Sequence, residues 1–178
     1  KDQIKFRKTH RDINKDNEIL TLLIEAEGLE LSETELLHQC IFMLNAGHET
    51  STNMLSHGLN ELINHRDQYK LLQKEPGRID TAIDEILRFQ PPIQINNRRC
   101  LETTILGDII IPEGTSVHMI IAGANRDPLQ FFEPETFDIS RSPNRHLSFG
   151  LGIHICAGIN LARLEAKVAF QSLLSSFK

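Results

Sequence analysis

The stretch SFGLGIHICAG, residues 148–158, surrounds one cysteine, Cys156, with three glycines. Glycine permits tight turns and close backbone approaches that other residues resist. A helical apolar pattern follows at once over 157–177, and the N-terminal end of a helix stabilises a thiolate. The stretch therefore predicts a cysteine loop over 148–157, ahead of a last helix.

From the residues alone, three roles are open to Cys156. A buried cysteine is most often an inert core residue. A thiolate held by backbone N–H groups is instead a nucleophile, which needs a paired base, or a metal ligand. A lone thiolate on a single metal suits haem iron, to which it supplies electron density for oxygen chemistry. The glycines and the following helix favour a chemical role over the inert one.

The rest of the chain is mostly helical in pattern. Ser32 and Glu35 form an S-x-x-E capping pair at the start of a long run that is apolar on more than one face. The predicted elements before the cysteine loop are a long central helix over 32–64, a helix over 80–89, strands at about 98–121 and an irregular stretch over 124–147. We therefore predict a mainly α fold with a small β component (α+β).

Length and composition limit the function classes. The 178 residues suit one domain, and no run of about 18 apolar residues predicts a membrane span. The net charge of −5 argues against nucleic acid as the main partner. Three cysteines without a C-x-x-C pair indicate a reducing compartment, and the charged first residues do not resemble a signal peptide. A cytoplasmic location is the expectation.

Other short motifs are weak when taken alone. Glu85 and Arg88 lie three residues apart on the helix over 80–89, a spacing typical of a surface ion pair. His48-Glu49 would begin a zinc motif only with histidine at position 52, where Thr52 stands. The glycines of the cysteine loop do not have the spacing of a dinucleotide-binding turn either.

In their order along the chain, these stretches resemble the C-terminal half of a cytochrome P-450, a soluble bacterial-type haem-thiolate monooxygenase. The residues that match its motifs are Phe149, Gly152, Cys156 and Gly158 of the haem loop, Ala46, Gly47, Glu49 and Thr50 of the oxygen-activation motif, Glu85 and Arg88, and the meander Ala124 to Arg141. The resemblance implies one incomplete domain over 1–178, the haem-binding half of that fold, truncated at both ends.

The resemblance also implies a cofactor, haem b (iron protoporphyrin IX), with Cys156 as the proximal thiolate ligand of its iron. His154 and Arg98 would contact the propionates, with Arg99 as a rival to Arg98. Phe149 would shield the sulfur. The positions that the resemblance implies would make room for the haem or lie against it are Gly150, Gly158, Ala46 and Gly47.

Two further sets of residues acquire roles from the resemblance. Glu49 and Thr50 would relay protons for dioxygen activation, beside a helix that opens at Gly47. The remaining set, Glu85, Arg88 and Arg141, would form a buried salt-bridge network that ties the meander to the core.

The implied activity is the oxidation of a small hydrophobic organic substrate by dioxygen. Its electrons would come from a ferredoxin or a flavoprotein reductase, and the missing N-terminal half would be needed. The alternative is a truncated haem-binding or haem-free remnant without turnover. In either case the apolar faces of the helix over 32–64 predict self-association or a complementary fragment.

Overall fold

The computed structural model describes residues 2–10, 18–27 and 30–176. Its helices are α1 Asp2–Thr9, α2 Ile19–Ala26, α3 Glu33–Asn64, α4 Arg66–Lys74, α5 Ile79–Phe89, α6 Ile121–Ala124 and α7 Ile159–Ser176. Its strands are β1 Ile95–Arg99, β2 Thr104–Leu106, β3 Ile109–Ile111 and β4 Ser116–Ile120. The predicted fold class, mainly α with a small β component, is confirmed. The chain divides into two units, Lys1–Glu49 and Thr50–Lys178.

The first unit contains α1, α2 and the beginning of α3. At the start of α3, the Ser32 backbone N–H donates to Glu35 Oε2 at 2.8 Å, and the Glu35 N–H donates to Ser32 Oγ at 3.3 Å. The predicted capping box is therefore confirmed. Because the Ser32 hydroxyl and N–H both donate to the carboxylate, the pKa of Glu35 is held below its ordinary value.

The core of the second unit lies between the later part of α3 and helices α4, α5 and α7. Its buried apolar residues are Met54, Leu62, Tyr69, Leu72, Ile79, Ala82, Ile83, Ile86, Leu87, Phe137, Ile139, Ala166 and Phe170. Gly58 is buried where α3 approaches α5 and α7, and a Cβ there would lie 2.4 Å from Phe170 Cζ. The absence of a side chain at this position allows the close approach.

The strands form two antiparallel pairs, β1 with β4 and β2 with β3. In the first pair Ile95 lies opposite Ile120, and in the second Thr104 lies opposite Ile111. The strand region was predicted at about 98–121. It begins three residues earlier, because β1 is polar (INNRR) and has no apolar alternation to mark its start.

Three boundaries of the irregular and helical segments bear on the site. The irregular segment was predicted over 124–147, but Ala124 ends α6, and residues 125–147 contain only turns, bends and chain without regular structure. Helix α7 begins at Ile159, two residues later than predicted, because residues 157 and 158 form a turn. Within the described ranges, no helix combines the length and hydropathy needed to cross a membrane.

Candidate functional site

Glu85 and Arg88, which face each other on α5, are fully buried. Arg88 Nε and Nη2 donate to the two Glu85 oxygens, each at 2.8 Å, in a two-pronged contact. The other guanidinium N–H groups donate to the backbone carbonyls of Asn125, Pro134 and Thr136 at 2.8–3.0 Å. Every N–H of the Arg88 guanidinium therefore has an acceptor, as a buried cation requires.

The Glu85 carboxylate also accepts from the irregular segment. Its Oε1 accepts the Asp138 N–H at 2.9 Å, and its Oε2 accepts Asn144 Nδ2 at 3.0 Å and Arg141 Nε at 3.1 Å. Arg141 in turn donates to three carbonyls of the same segment, those of Phe132, Glu133 and Thr136. The structure therefore brings Glu85, Arg88 and Arg141 together, and a segment without regular structure is fixed to α5 through charged hydrogen bonds.

Asn125 and Ser148 join this network to the cysteine loop. Asn125 is buried, its Oδ1 accepts the Leu147 N–H at 2.8 Å, and its Nδ2 donates to Ser148 Oγ at 2.9 Å. Ser148 Oγ donates to the Leu87 carbonyl on α5 at 2.6 Å. The start of the loop is therefore attached to α5, the same helix that holds Glu85 and Arg88.

The cysteine loop itself turns at two glycines. Gly150 and Gly152 have φ angles of +72° and +75°, a region that other residues avoid. The Cys156 N–H donates to the Phe149 carbonyl at 2.8 Å, which closes the loop. Gly158 is different, because its φ lies outside that region and a Cβ there would lie 3.9 Å from Cys156 Sγ, an ordinary contact. Packing among the described residues therefore does not explain a glycine at 158.

The surface around Cys156 is apolar and open. Cys156 is a free, exposed thiol. The exposed large apolar side chains of the loop and of the first turns of α7 are Leu151, Ile153, Ile155, Leu161 and Leu164. His154 ends a single 3₁₀ turn, Gly152–His154, and is also exposed. The loop therefore presents a soft metal ligand among exposed apolar side chains.

The other predicted ligand-binding residues lie on α3 and β1. Ala46, Gly47 and Glu49 are exposed in the first unit, and Thr50 is half-buried at the start of the second. Helix α3 continues through Gly47 without a break, so the expected opening of the helix is absent here. Arg98 is exposed, and its Nη1 donates to the Asn97 carbonyl and to Asn96 Oδ1, local contacts on β1.

Asp84, Asn125, Asn144 and His146 belong to the site and were missed from the sequence. Burial alone would raise the pKa of Asp84, but a hydrogen bond from His146 and the charge of Arg163 outweigh burial and hold this pKa below its ordinary value. The available signals were the polar Asn125 beside the small residues of IAGAN and the histidine of RHLSFG. Neither signal indicates which residue the side chain would contact.

A family model described as Cytochrome P450 matches residues 1–178 of the chain. The chain belongs to the cytochrome P450 family. Among curated relatives, a biotin biosynthesis cytochrome P450 of Bacillus subtilis (strain 168) is 39% identical over 175 residues, which are 98% of this chain and 43% of that protein. The chain therefore spans less than half the length of the curated cytochrome P450 proteins it matches.

Solved cytochrome P450 structures are similar to nearly the whole chain. P450BioI in complex with an acyl carrier protein ligated to hexadec-9Z-enoic acid has a TM-score of 0.91 and 38% identity, and the similarity covers 98% of this chain and 44% of that one. The tirandamycin C-bound P450 monooxygenase TamI has a TM-score of 0.92 and 36% identity. That similarity covers 99% of this chain and 44% of the TamI chain. Cytochrome P450 membership implies a haem, and the exposed thiol, its apolar surroundings and the unexplained glycine at 158 fit one.

Proposed function

We propose that this chain is the haem-binding half of a cytochrome P450 monooxygenase and that Cys156 ligates the haem iron. The observation that carries the proposal is the placement of Cys156. The thiol is free and exposed, on a loop that Gly150 and Gly152 turn and that Asn125 and Ser148 fix to α5. A thiol presented in this way is available to a ligand rather than packed into the core.

Several residues of the chain would hold the haem. Phe149 accepts the Cys156 N–H through its carbonyl, and its half-buried ring would limit access of water to the sulfur. Gly158 would let the macrocycle approach the loop, because no Cβ stands there. His154 and Arg98, both exposed cationic or hydrogen-bonding side chains, would pair with the propionates. Arg99, exposed next to Arg98, is the rival for that contact.

When bound, a haem with a thiolate ligand supplies the electron transfer and dioxygen chemistry that no side chain can perform. Thr50 Oγ1 would hold and pass on a proton for that chemistry, and Glu49, the preceding residue, would supply it. Ala46 and Gly47, one turn earlier on α3, would lie against the haem. The substrate would be a small organic molecule, and a ferredoxin or flavoprotein reductase would donate electrons.

Cys156→Ser tests the ligand assignment. We expect the haem-loaded chain, reduced and saturated with carbon monoxide, to show the red-shifted absorption band that is typical of a thiolate ligand, and the variant to lose it. Cys100→Ser is the matched control, because Cys100 is a half-buried thiol whose Sγ donates to the Glu102 carbonyl at 2.9 Å. A variant at 156 that kept the band would refute the assignment.

Thr50→Ala tests the proton relay, in an assay in which the natural chain turns over a substrate. We expect the variant to consume reductant at a normal rate while forming less product, because proton delivery at Oγ1 is lost. Thr52→Ala removes a hydroxyl two residues further along α3, at an exposed position, and should leave the coupling unchanged. Equal coupling in Thr50→Ala would remove Thr50 from the mechanism.

A second candidate, a chain that self-associates without turnover, is favoured by the exposed apolar residues. In the first unit these include Ile41, Phe42 and Leu44 on α3. In the second they include Ile105, Leu106, Ile109 and Ile110 on the β2–β3 hairpin. At about 25 cal/mol per Å², several hundred Å² of such surface is worth on the order of 10 kcal/mol. Sedimentation at micromolar concentration tests it, and a compact monomer that binds no hydrophobic dye would exclude it.

A further inference from the structure

Asp84, the residue before Glu85 on α5, contacts both sides of the cysteine loop. Its Oδ1 accepts a hydrogen bond from Arg163 Nη2 at 2.8 Å and lies 3.4 Å from His146 Nε2. His146 lies two residues before the loop, and Arg163 lies in the first turns of α7 after it. One carboxylate, that of Asp84, therefore contacts a residue before the loop and a residue after it.

The second ring nitrogen of His146 is also used. The Ser148 backbone N–H points at His146 Nδ1 at 3.2 Å. Because an N–H donor needs a lone pair, Nδ1 is unprotonated, and the ring proton must be on Nε2, which faces Asp84. The His146 side chain is only 4% exposed, so water does not compete strongly for either nitrogen.

Both side chains that Asp84 holds also face Phe149. The His146 and Phe149 ring centroids are 5.8 Å apart, and Arg163 Cζ lies 5.4 Å from the Phe149 ring centroid. The Phe149 carbonyl accepts the Cys156 N–H. A continuous path of contacts therefore runs from Asp84 through His146 and Phe149 to the backbone of Cys156.

We propose that His146, as its neutral Nε2–H tautomer, is a positioning residue that fixes the cysteine loop to α5 through Asp84 and Ser148. Only the consequence of this role for haem chemistry rests on the proposed function, in which Cys156 ligates the iron. The hydrogen bonds themselves belong to this chain and can be tested without haem. His146 touches neither Cys156 nor a substrate in this role, and it acts through the loop.

The neighbouring pair Asp80–Lys167 is the internal reference for this arrangement. Asp80 lies one turn before Asp84 on α5, and Lys167 lies one turn after Arg163 on α7. The distance from Lys167 Nζ to Asp80 Oδ2 is 2.9 Å. The Asp80 side chain is 71% exposed, whereas that of Asp84 is 29% exposed. Asp80 therefore makes the same kind of ion pair between the same helices, at a position one turn away from the loop.

Nuclear magnetic resonance of the haem-free chain tests the proposal directly. Two-bond proton–nitrogen correlations of the His146 ring should show Nε2 protonated and Nδ1 bare. In His146→Phe, the Ser148 amide proton should exchange with solvent roughly five- to tenfold faster, while the core amides of α5 exchange as before. His146→Asn places Oδ1 where Nδ1 was and should restore the protection of Ser148.

The control variants separate positioning from general stability. Asp84→Asn should perturb the His146 ring nitrogen signals, and Asp80→Asn should leave them unchanged. A bare Nε2 with a protonated Nδ1, or an unchanged Ser148 amide in His146→Phe, would overturn the proposal. If His146→Phe fails to fold, the tautomer of the natural chain and the Asn variant still decide it.

A further measurement, on the haem-loaded chain, distinguishes this proposal from the proposed function. If both hold, His146→Phe should weaken the thiolate-type carbon monoxide band, and His146→Asn should restore it. A natural chain that never shows the band would refute the ligand assignment, while the tautomer and the Ser148 amide would still support or refute the role of His146.

Discussion

Two Glu-x-x-Arg pairs lie ten residues apart in this chain, and they differ in almost everything except spacing. In Glu75–Arg78 and in Glu85–Arg88, Arg Nε donates to Glu Oε2, at 2.6 and 2.8 Å. The side chains of the first pair are 42% and 39% exposed, and those of the second are fully buried. The same motif therefore forms a surface ion pair at one position and a buried one at the other.

The difference lies in what surrounds each arginine. Arg88 reaches the carbonyls of Asn125, Pro134 and Thr136, which stand 37 to 48 residues further along the chain. Burying a charge without such partners is costly, so the buried pair depends on the irregular segment as much as the segment depends on the pair. A spacing of three residues specifies only that two side chains can meet.

Arg88→Met should have the largest effect on stability. It leaves the Glu85 carboxylate buried without its main cation, and removing one partner of a buried pair costs about 3–5 kcal/mol. We expect the free energy of unfolding, measured by urea titration, to fall by that amount or the variant to fail to fold.

Arg78→Met is the matched control, with the same residue type, spacing and donor atom. Exposed ion pairs contribute about 0–1 kcal/mol, so this variant should unfold at nearly the natural urea concentration. Equal losses in the two variants would mean that burial is not what distinguishes the two pairs.

This comparison also marks the limit of prediction from the sequence. Capping, helix length, the glycine turns and the irregular course of residues 125–147 follow from local residue chemistry and can be predicted from the sequence. Contacts between distant residues do not, and the pairing of His146 with Asp84 joins positions 62 residues apart. Even Glu85–Arg88, a surface pair by its spacing, was assigned to the interior only through the family resemblance.

Two glycines of α3 extend the comparison from charge to volume. At Gly58 a Cβ would lie 2.4 Å from Phe170 Cζ and 2.9 Å from Ile86 Cδ1, both in the core. Gly58→Ala should therefore lower the free energy of unfolding by about 1–3 kcal/mol, since an overpacked core must shift. Thermal unfolding followed by circular dichroism measures it.

Gly47→Ala should have the opposite sign. Apart from its chain neighbours and the backbone of its own helix, no heavy atom of the described residues lies within 4 Å of the position of its Cβ. Alanine favours a helix interior over glycine by about 0.5–1 kcal/mol. A loss of stability at both positions would show that Gly47 also has neighbours in the folded chain. A gain of stability at both positions would show that α3 can shift away from α5 and α7 without cost.

The smallest expected effect concerns the two carboxylates of α5 that face α7, and it depends on pH. The pKa of Asp84 is lowered in the folded chain by His146 and Arg163, so the folded state favours the ionised carboxylate. This contribution is complete above the ordinary aspartate pKa, about 3.9, and is lost as the pH falls through the lower folded pKa.

Asp84→Asn should therefore cost about 0.5–1 kcal/mol at pH 6 and progressively less below about pH 4. Urea unfolding of the two proteins from pH 6 to below about pH 4 checks the trend, with Asp80→Asn as the exposed control whose cost at pH 6 is smaller. A cost that grew towards acid would mean that the folded chain destabilises the ionised carboxylate, and that the cysteine loop is not held through it.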